Sequence, residues 1–520
     1  MLSTGRITSR VTFPFTRAAT TRGLVYAQVH VHVHVHAALD VIVALDVIVA
    51  LDVIVALDVI VALDVIVEGC VRRCGAAGIT RAVKHRAKRS GGSQGRDQSK
   101  GKVLEGRVRD VTDAGDAVIE TTDGLVLAPG GLPDEQVRVR VTEKRSGVLH
   151  GNVLSVLSAS PERVEPVCTL AERCGGCPLM SLTLPAQHTL KAKRVAHAIH
   201  GLAAEELPIS VESHGPQLGY RRRARLAFRK LGSGLVLGYR VHGQSQLVDV
   251  ECCPVLTPPL QAALARVREH MSAALIGAGE IDLDTASETE AQVAIRSESA
   301  LAPTAYAAAE HLARAEPVIG VALSVAGGAP ARYGKTDAPR MDLDGLPLES
   351  QAHGFSQVNA AVNARLRELV VELAEPDDSR VLELYAGHGN FTLGLSARAQ
   401  KLLAVEGDAA AVEACRANLK VRQRTQAQVQ VGDVRALQLK DRFDVLVLDP
   451  PRGGCPSLAA LVDTTRPRRV VYVSCHMTTL SRDLRALHAK GYTADRVHVL
   501  DMFPQTGHVE AVVRMVRPAS

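Results

Sequence analysis

Two hydrophobic patterns divide the chain beyond residue 102. From Lys102 to about Ala159, apolar residues recur at every second position in short runs such as 136–141, and turns rich in Gly, Asp and Pro separate the runs. Period-two runs at this spacing predict several short strands that close into a small barrel.

A different pattern begins near Gly354. Residues 361–374 have the apolar spacing of an amphipathic helix, and continuous apolar runs then alternate with helical patterns. The runs occupy residues 380–385, 401–406, 442–449 and 470–475. Strands that alternate with helices predict a doubly wound parallel sheet, in which ligands bind at the carboxyl ends of the strands.

The region between these two patterns predicts mixed helices and strands. Residues 220–228 read as a strand with one basic face, which favours either an RNA contact or a solvated surface. We therefore expect a multidomain α/β protein in four parts. They are a low-complexity segment (1–100), a small β-barrel (101–159), a central α+β domain (160–345) and a Rossmann-like domain (346–520).

The first hundred residues carry little structural information. Residues 38–67 repeat Ala-Leu-Asp-Val-Ile-Val five times, and no Met lies between Met1 and Met180. Five Asp residues make a membrane span unfavourable. We interpret this segment as disordered, with a start assigned upstream of the true coding region. Residues 1–37, which lack acidic residues, also match the composition of a mitochondrial transit peptide.

Composition narrows the class of protein. The net charge of +6 permits a nucleic-acid partner, while the absence of Trp argues against extensive base stacking. Ten unevenly spaced cysteines do not suit a small secreted disulfide scaffold. Because no ordinary signal peptide or membrane span is present, we expect a cytoplasmic enzyme. We also expect it to be a monomer.

Two groups of cysteines are candidates for chemistry. Cys475 follows a β-branched run, so it lies at the end of a predicted strand, where it is either a nucleophile or a buried structural thiol. Cys168, Cys174 and Cys177 have ligand-like spacing, and a fourth thiol can come from Cys252 or Cys253. Four thiolates suit zinc or an iron–sulfur cluster, and spacing alone does not choose between them.

The turn after the first predicted strand favours S-adenosylmethionine over a dinucleotide. Gly387 and Gly389 lack a third glycine, so the dinucleotide fingerprint is incomplete. Glu406 ends the next strand, where it can accept hydrogen bonds from ribose hydroxyls, and Asp433 can reach the adenine side. Asp449 opens an Asp-Pro-Pro-Arg loop.

Together these features resemble the RNA uracil-C5 methyltransferase family, in its rRNA-modifying, iron–sulfur-containing form. The motifs that carry the resemblance are residues 355–359, 383–391, 449–452, 474–475 and 502–510. The resemblance implies that Cys475 is the nucleophile and Glu510 the general base. It places the cofactor among Gln357, Tyr385, Asn390, Glu406, Asp433 and Asp449. It implies a [4Fe-4S] cluster, with zinc as the alternative, on Cys168, Cys174, Cys177 and Cys253. It also implies that the barrel is an RNA-binding TRAM domain.

The function expected from this resemblance is methylation of uridine C5 in RNA through a covalent cysteine adduct. We expect 23S rRNA as the substrate, with tRNA as the alternative. An RNA-binding iron–sulfur protein with an inactive methyltransferase half is a further alternative. The chain departs from the family pattern at His476-Met477, where Asn-Pro is usual, and at Gln505, where His is usual.

Overall fold

A computed structural model of the chain describes residues 99–517 except 204, 233, 337–339, 342–345, 350–353 and 355. The expectations for the hexad repeat and the transit-like segment lie outside the described residues, as does Phe355 of the first family motif.

The first five strands form a closed barrel in the order β1-β2-β3-β5-β4. Their bounds are Val103–Val111, Asp116–Thr121, Gly124–Pro129, Gln136–Arg145 and Val148–Ser158 for β1 to β5. Alternate residues such as Val108, Ile119 and Val137 are fully buried inside the barrel. The period-two pattern thus predicted the barrel correctly, because every second side chain of a strand points to the same face.

Helix α1 (Leu184–Ile199) and the short strand β6 (Val211–Glu212) follow the barrel. A seven-stranded sheet then has the order β13-β12-β11-β10-β7-β8-β9. Its strands are β7 (Arg223–Leu231), β8 (Gly234–Arg240), β9 (Leu247–Asp249), β10 (Ala278–Thr285), β11 (Ala291–Ser297), β12 (Val318–Val325) and β13 (Ala331–Gly334). Helices α2 (Pro258–Met271) and α3 (Pro303–Leu312) bury their apolar residues against this sheet.

A two-stranded ribbon, β14 (Arg340–Met341) and β15 (Pro347–Leu348), precedes an eight-stranded sheet ordered β18-β17-β16-β19-β20-β22-β21-β6. Its strands are β16 (Arg380–Leu384), β17 (Lys401–Glu406), β18 (Ala427–Val431), β19 (Val445–Leu448), β20 (Arg469–Ser474), β21 (Thr493–Leu500) and β22 (Glu510–Val516), with β6 at one edge. Strands β16 to β20 run parallel, and β22 is antiparallel to both β20 and β21.

Helices cover both faces of this sheet, as in a doubly wound fold. They are α4 (Ala360–Ala374), α5 (Thr392–Ser396), α6 (Ala409–Val421), α7 (Leu458–Thr465) and α8 (Met477–His488), with a short 3-10 helix at Val434–Ala436. Apolar residues of α4, α5 and α6 share one core, and those of α1, α7 and α8 share the other. The multidomain α/β architecture expected from the sequence is confirmed.

Residues 184–212 pack on the carboxyl-terminal sheet although they lie early in the chain. The α1 residues Val195, Ala198 and Ile199 are buried with Leu484 and other residues of the carboxyl-terminal core. Strand β6 pairs in parallel with β21, where Val211 lies opposite Val499. No helix in the described part of the chain is long and apolar enough to cross a membrane.

Candidate active site

Three neighbouring strands bring Asp449, Cys475 and Glu510 to one edge of the eight-stranded sheet. Leu448 of β19 pairs with Tyr472 of β20, and Ser474 of β20 pairs with Ala511 of β22. Asp449 and Cys475 directly follow β19 and β20, whereas Glu510 begins the antiparallel β22. One further register step therefore sets Cys475 opposite Glu510, and facing residues of an antiparallel pair point to the same side of the sheet.

The three groups share a site in which charge is poorly solvated. Burial, then Glu510 and Asp449, raise the pKa of the Cys475 thiol to about 11, while Arg452 opposes the rise. Burial raises the pKa of Asp449 to about 7. Burial and the charge of Asp449 hold the pKa of Glu510 well above its usual range. The site thus places a protonated thiol beside carboxyl groups that are basic enough to exchange protons with it.

His476 caps the helix that follows the thiol. It is the N-cap residue of α8, and its ring Nδ1 accepts a hydrogen bond from the Thr479 backbone N–H at 3.4 Å. The Thr479 hydroxyl lies 3.1 Å from the Arg452 carbonyl oxygen, to which it donates. The departure from Asn-Pro at positions 476–477 therefore keeps a capping side chain, and it ties the Cys475 turn to the Asp-Pro-Pro-Arg loop.

The loop between β21 and β22 completes this side of the site. His508 lies 5.8 Å from Phe503, ring centroid to ring centroid, in an edge-on arrangement. Its Nε2 is 3.5 Å from an Arg452 guanidinium nitrogen. Burial, and then Arg452, lower the pKa of His508, which favours the neutral imidazole.

A second set of side chains surrounds the glycine turn at the ends of β16 and β17. Gly387 and Gly389 both adopt positive φ angles, of 57° and 104°, which glycine tolerates without strain. The Glu406 carboxylate accepts a hydrogen bond from the Gly387 N–H at 2.9 Å, so it braces the turn. Tyr385 begins the turn with its N–H bonded to the Val405 carbonyl oxygen at 2.9 Å.

The remaining predicted cofactor residues have different surroundings. Asn390 exchanges two side-chain hydrogen bonds with Asn363, at 2.9 and 3.0 Å. Asp433 is exposed, and its carboxylate forms an ion pair with Arg435 that lowers the pKa of Asp433. Gln357 is half-buried. The sequence places Arg435 two residues after Asp433, which is close enough for an ion pair. The sequence analysis nevertheless did not include this ion pair.

Glu383 is a candidate that the sequence analysis missed. Its side chain lies within β16, is 1% exposed, and has no hydrogen-bond partner for either carboxylate oxygen. Burial raises the pKa of Glu383 to about 8, the neighbouring Thr392 opposes the rise, and the charges of Asp449 and Glu406 add to it. A buried carboxyl without partners is unfavourable in the free protein, and a cationic ligand group would satisfy it. The sequence feature that could have revealed Glu383 is an acidic residue inside an otherwise apolar strand.

Four cysteines lie close together beside the seven-stranded sheet, and they are Cys168, Cys174, Cys177 and Cys253, the four proposed from the sequence. Burial, followed by Cys253, Cys174 and other neighbours, raises the pKa of the Cys177 thiol. Burial raises the pKa of Cys253 to about 12, with Cys168 and Cys174 contributing. The Gly176 N–H donates to the Cys174 sulfur at 3.4 Å. Among the described residues, no group of three or more His, Cys, Asp or Glu side chains is arranged to hold a metal ion.

The arginine-rich strand differs from the open basic face that we considered. Arg225 forms an ion pair with Asp282 at 2.8 Å, and the Arg221 Nε donates to the Arg223 carbonyl oxygen at 3.0 Å. Arg223 itself donates to the Gly354 carbonyl oxygen. These guanidinium groups are engaged within the protein, Arg225 by an acidic residue of the facing strand β10, and Arg221 and Arg223 by backbone carbonyl oxygens. The alternation of polar and apolar residues along β7 gives no information about an acidic partner on another strand.

Comparisons with known proteins point to one family. The family model described as tRNA (Uracil-5-)-methyltransferase matches residues 346–517. The chain is similar to the 23S rRNA (uracil(1939)-C(5))-methyltransferase RlmD of Pectobacterium carotovorum, with 35% identity over 409 residues, covering 76% of this chain and 90% of the relative. The enzyme of the same name from Edwardsiella ictaluri is 34% identical over 432 residues, which cover 80% and 97% of the two chains.

A solved structure is similar over the same part of the chain. The Pyrococcus abyssi tRNA (uracil-54, C5)-methyltransferase, in complex with S-adenosyl-L-homocysteine, is 25% identical with a TM-score of 0.64. The match covers 79% of this chain and 100% of that protein. The likeness therefore extends beyond the carboxyl-terminal sheet to the parts that precede it.

Proposed function

The chain belongs to the RNA uracil-C5 methyltransferase family, and from this membership we propose that it methylates C5 of a uridine in 23S rRNA. S-adenosylmethionine supplies the electrophilic methyl group. The meeting of Cys475, Asp449 and Glu510 at one sheet edge is the observation that carries the proposal, since the reaction needs a nucleophile and a base on the same uracil ring.

The chemistry follows from the weak nucleophilicity of uracil C5. The Cys475 thiolate adds to C6, which breaks the C5–C6 double bond and makes C5 enolate-like. C5 can then take up the methyl group, and S-adenosylhomocysteine is released. The C5 proton then passes to the Glu510 carboxylate, the C5–C6 double bond re-forms, and the carbon–sulfur bond breaks to release the thiolate. Asp449 keeps the pKa of Glu510 high, so that Glu510 is a stronger base than an ordinary carboxylate. Arg452 favours the thiolate.

The residues around the glycine turn fit S-adenosylmethionine. The orphaned carboxyl of Glu383 suits a cationic ligand group, because both of its oxygens lack hydrogen bonds in the free protein. We assign Gln357, Tyr385, Asn390, Glu406, Asp433 and Asp449 to the same site. Asp433 must share or release its ion pair with Arg435 to reach a ligand.

We propose that Cys168, Cys174, Cys177 and Cys253 hold a [4Fe-4S] cluster. A single zinc ion draws its four ligands onto one centre, whereas a cubane cluster spreads its thiolates over a wider cage. Four thiols close enough to influence one another's pKa suit ligands of one shared centre, and the family resemblance favours the cluster. The N–H group of Gly176 aimed at the Cys174 sulfur also suits a bound thiolate. The role of this cluster would be structural.

We further propose that the barrel is a TRAM domain that helps to bind RNA, and we keep the four-part division at residues 100, 159 and 345. A cleft of about 710 Å³ lies between β1, α1 and α8, and its lining includes Asp110, Lys193, His197, Thr478 and Arg485. It reaches Met477, two residues beyond the proposed nucleophile. The basic side chains of this cleft, Lys193 and Arg485, suit the phosphates that flank a target uridine.

A covalent trap tests the proposed function. RNA that carries 5-fluorouridine at the target cannot lose a C5 proton, so the wild-type enzyme with S-adenosylmethionine should form a stable protein–RNA adduct. Fragments of 23S rRNA should trap, whereas tRNA transcripts should trap poorly; the reverse result would make tRNA the substrate. If Cys475→Ala traps as well as wild type does, the assigned nucleophile is wrong.

A further inference from the structure

Helix α1 presents a stripe of polar side chains to the loop that leads to Glu510. Gln187, Lys191 and Arg194 are spaced four and three residues apart, which places them on one face of the helix. Gln187 is 1% exposed and Lys191 is fully buried. Buried polar groups need specific partners, and this face finds them in the loop formed by residues 501–509.

Gln187 holds the middle of that loop by an amide pair with Gln505, 318 residues away. Its Nε2 donates to the Gln505 Oε1 at 3.0 Å, and its Oε1 accepts from the Gln505 backbone N–H at 3.1 Å. The same Nε2 group donates to the Leu182 carbonyl oxygen at 2.8 Å. Gln505 has a φ of 68°, a left-handed conformation that a non-glycine residue keeps only when its surroundings hold it.

The other two residues of the stripe hold the ends of the same loop. The Lys191 Nζ lies 2.5 Å from the Asp501 Oδ1 and donates to the Phe503 carbonyl oxygen at 3.1 Å. The Arg194 guanidinium donates both to the Gly507 carbonyl oxygen and to the Val111 carbonyl oxygen of the barrel. The loop thus rests on α1 at Asp501, Phe503, Gln505 and Gly507.

We infer that Gln187, Lys191 and Arg194 position the loop at residues 501–509, and through it His508 and the base Glu510. The loop joins two strands whose closing pair is Leu500 and Glu510, so a shift of the loop displaces the base. The inference rests on the proposed function. In this role α1 affects the step in which the C5 proton leaves, and it does not affect the addition of Cys475 to C6.

Gln187→Met tests this positioning role, because it keeps the side-chain length and removes every hydrogen bond to the loop. Thr189→Ala is the matched control on the same helix, since Thr189 is exposed and bonds only to Pro185 of its own helix among the described residues. The substrate is RNA with ordinary uridine at the target, and labelled S-adenosylmethionine marks the methyl group. Thermal unfolding of each variant shows whether it is folded.

The expected result is a selective loss of the last step. Gln187→Met should slow turnover by up to about 100-fold, as small misplacements of a reacting group do. A methylated covalent protein–RNA complex should accumulate on ordinary uridine, while the Kd for S-adenosylmethionine and trapping on 5-fluorouridine RNA stay at wild-type values. The Gln505→Ala variant loses only the side-chain bond of the pair and keeps the bond from its backbone N–H to Gln187, so it should show a smaller loss in the same step. The double variant should be no slower than Gln187→Met alone, because that substitution already removes every bond of the pair.

Two results would overturn the inference. One is turnover at the wild-type rate in a folded Gln187→Met variant. The other is a loss of trapping on 5-fluorouridine RNA that matches the loss of turnover, because the loop would then act on cysteine addition. The wild-type reaction separates this test from the proposed function: if wild type does not methylate uridine, the proposed function fails, whatever the variants do.

Discussion

Asp449 and Glu510 flank Cys475 from opposite sides, since β20 lies between β19 and β22 in the sheet. The charge of Asp449 raises the pKa of Glu510, and both carboxylates raise the pKa of the Cys475 thiol. A proton on any one of these groups therefore stabilises a negative charge on the others. The arrangement makes the protonation of the site a property of the three residues together.

The acid limb of the pH–rate profile should lie at an unusually high pH. Glu510 accepts the C5 proton only as a carboxylate, and its raised pKa keeps it protonated at acidic pH. We expect single-turnover methylation to keep rising with pH beyond the range in which ordinary carboxylates are already fully ionised. Asp449→Asn removes the charge that raises the pKa of both Glu510 and Cys475, so the acid limb should move to lower pH. A limb that stays in place in this variant would contradict the coupling.

Glu383 should make the free protein less stable as the pH rises. Its folded pKa of about 8 exceeds the ordinary 4.5, so its protonated form is favoured in the folded state. The stabilisation is complete below pH 4.5 and is lost as the pH rises through 8, by about 1.4 kcal/mol per pH unit. In denaturant unfolding, Glu383→Gln should therefore gain stability over wild type between those pH values. A constant difference would rule out the buried, titrating carboxyl.

The same Glu383→Gln variant should bind S-adenosylmethionine more weakly. Loss of a charge-assisted contact costs about 1.5 to 3 kcal/mol, which corresponds to roughly 10-fold to 150-fold in Kd. Isothermal titration with S-adenosylhomocysteine serves as the check, and Arg398→Ala on the exposed surface serves as the control. Unchanged affinity in the Gln variant would place the cofactor away from Glu383.

Substitution of His476 should separate capping from chemistry. His476→Ala removes the side chain that caps α8, and should lower the free energy of unfolding by about 1 kcal/mol and slow adduct formation by Cys475. His476→Asn introduces another strong capping residue and should stay close to wild type in both measurements. An Asn variant as impaired as the Ala variant would show that the imidazole does more than cap.

The cysteine assignment predicts different outcomes for two adjacent residues. Cys253→Ser should lower the iron content of anaerobically purified protein and its visible absorbance, because Cys253 interacts with the other three thiols. Cys252→Ser is the matched neighbour and should retain its iron. Zinc in place of iron in the wild-type protein would favour the single-ion alternative, and equal loss in both variants would leave Cys253 without a special role.

The strand ends were predictable from the sequence because local patterns determine them. The apolar runs before Asp449 and Cys475 predicted parallel strands, and parallel strands bring their carboxyl ends to one edge. The barrel was predictable for the same reason, since inward and outward residues alternate along each strand. Both inferences use neighbours in the sequence, where steric and hydrophobic constraints are strongest.

Long-range polar contacts were not predictable in this way. Nothing in the sequence around Gln187 and Lys191 marks them as buried, yet both are buried against a loop more than 300 residues away. The acidic partners of Arg225 lie on another strand, which one strand's alternation cannot show. The candidate role of Glu383 was missed because a hydrophobic pattern predicts a strand whether or not a single acidic residue lies within the apolar run.

The placement of α1 also governs the order in which this chain can fold. Lys191 precedes its partner Asp501 by 310 residues, so synthesis at about 5 to 20 residues per second leaves roughly 15 to 60 seconds between them. During that interval the apolar side of α1 and the open edge of β6 have no native partner. In a nascent chain, α1 and β6 must therefore stay free of non-native contacts until β21 and β22 have been synthesised. Truncation near the carboxyl terminus would leave α1 and β6 permanently exposed and able to self-associate.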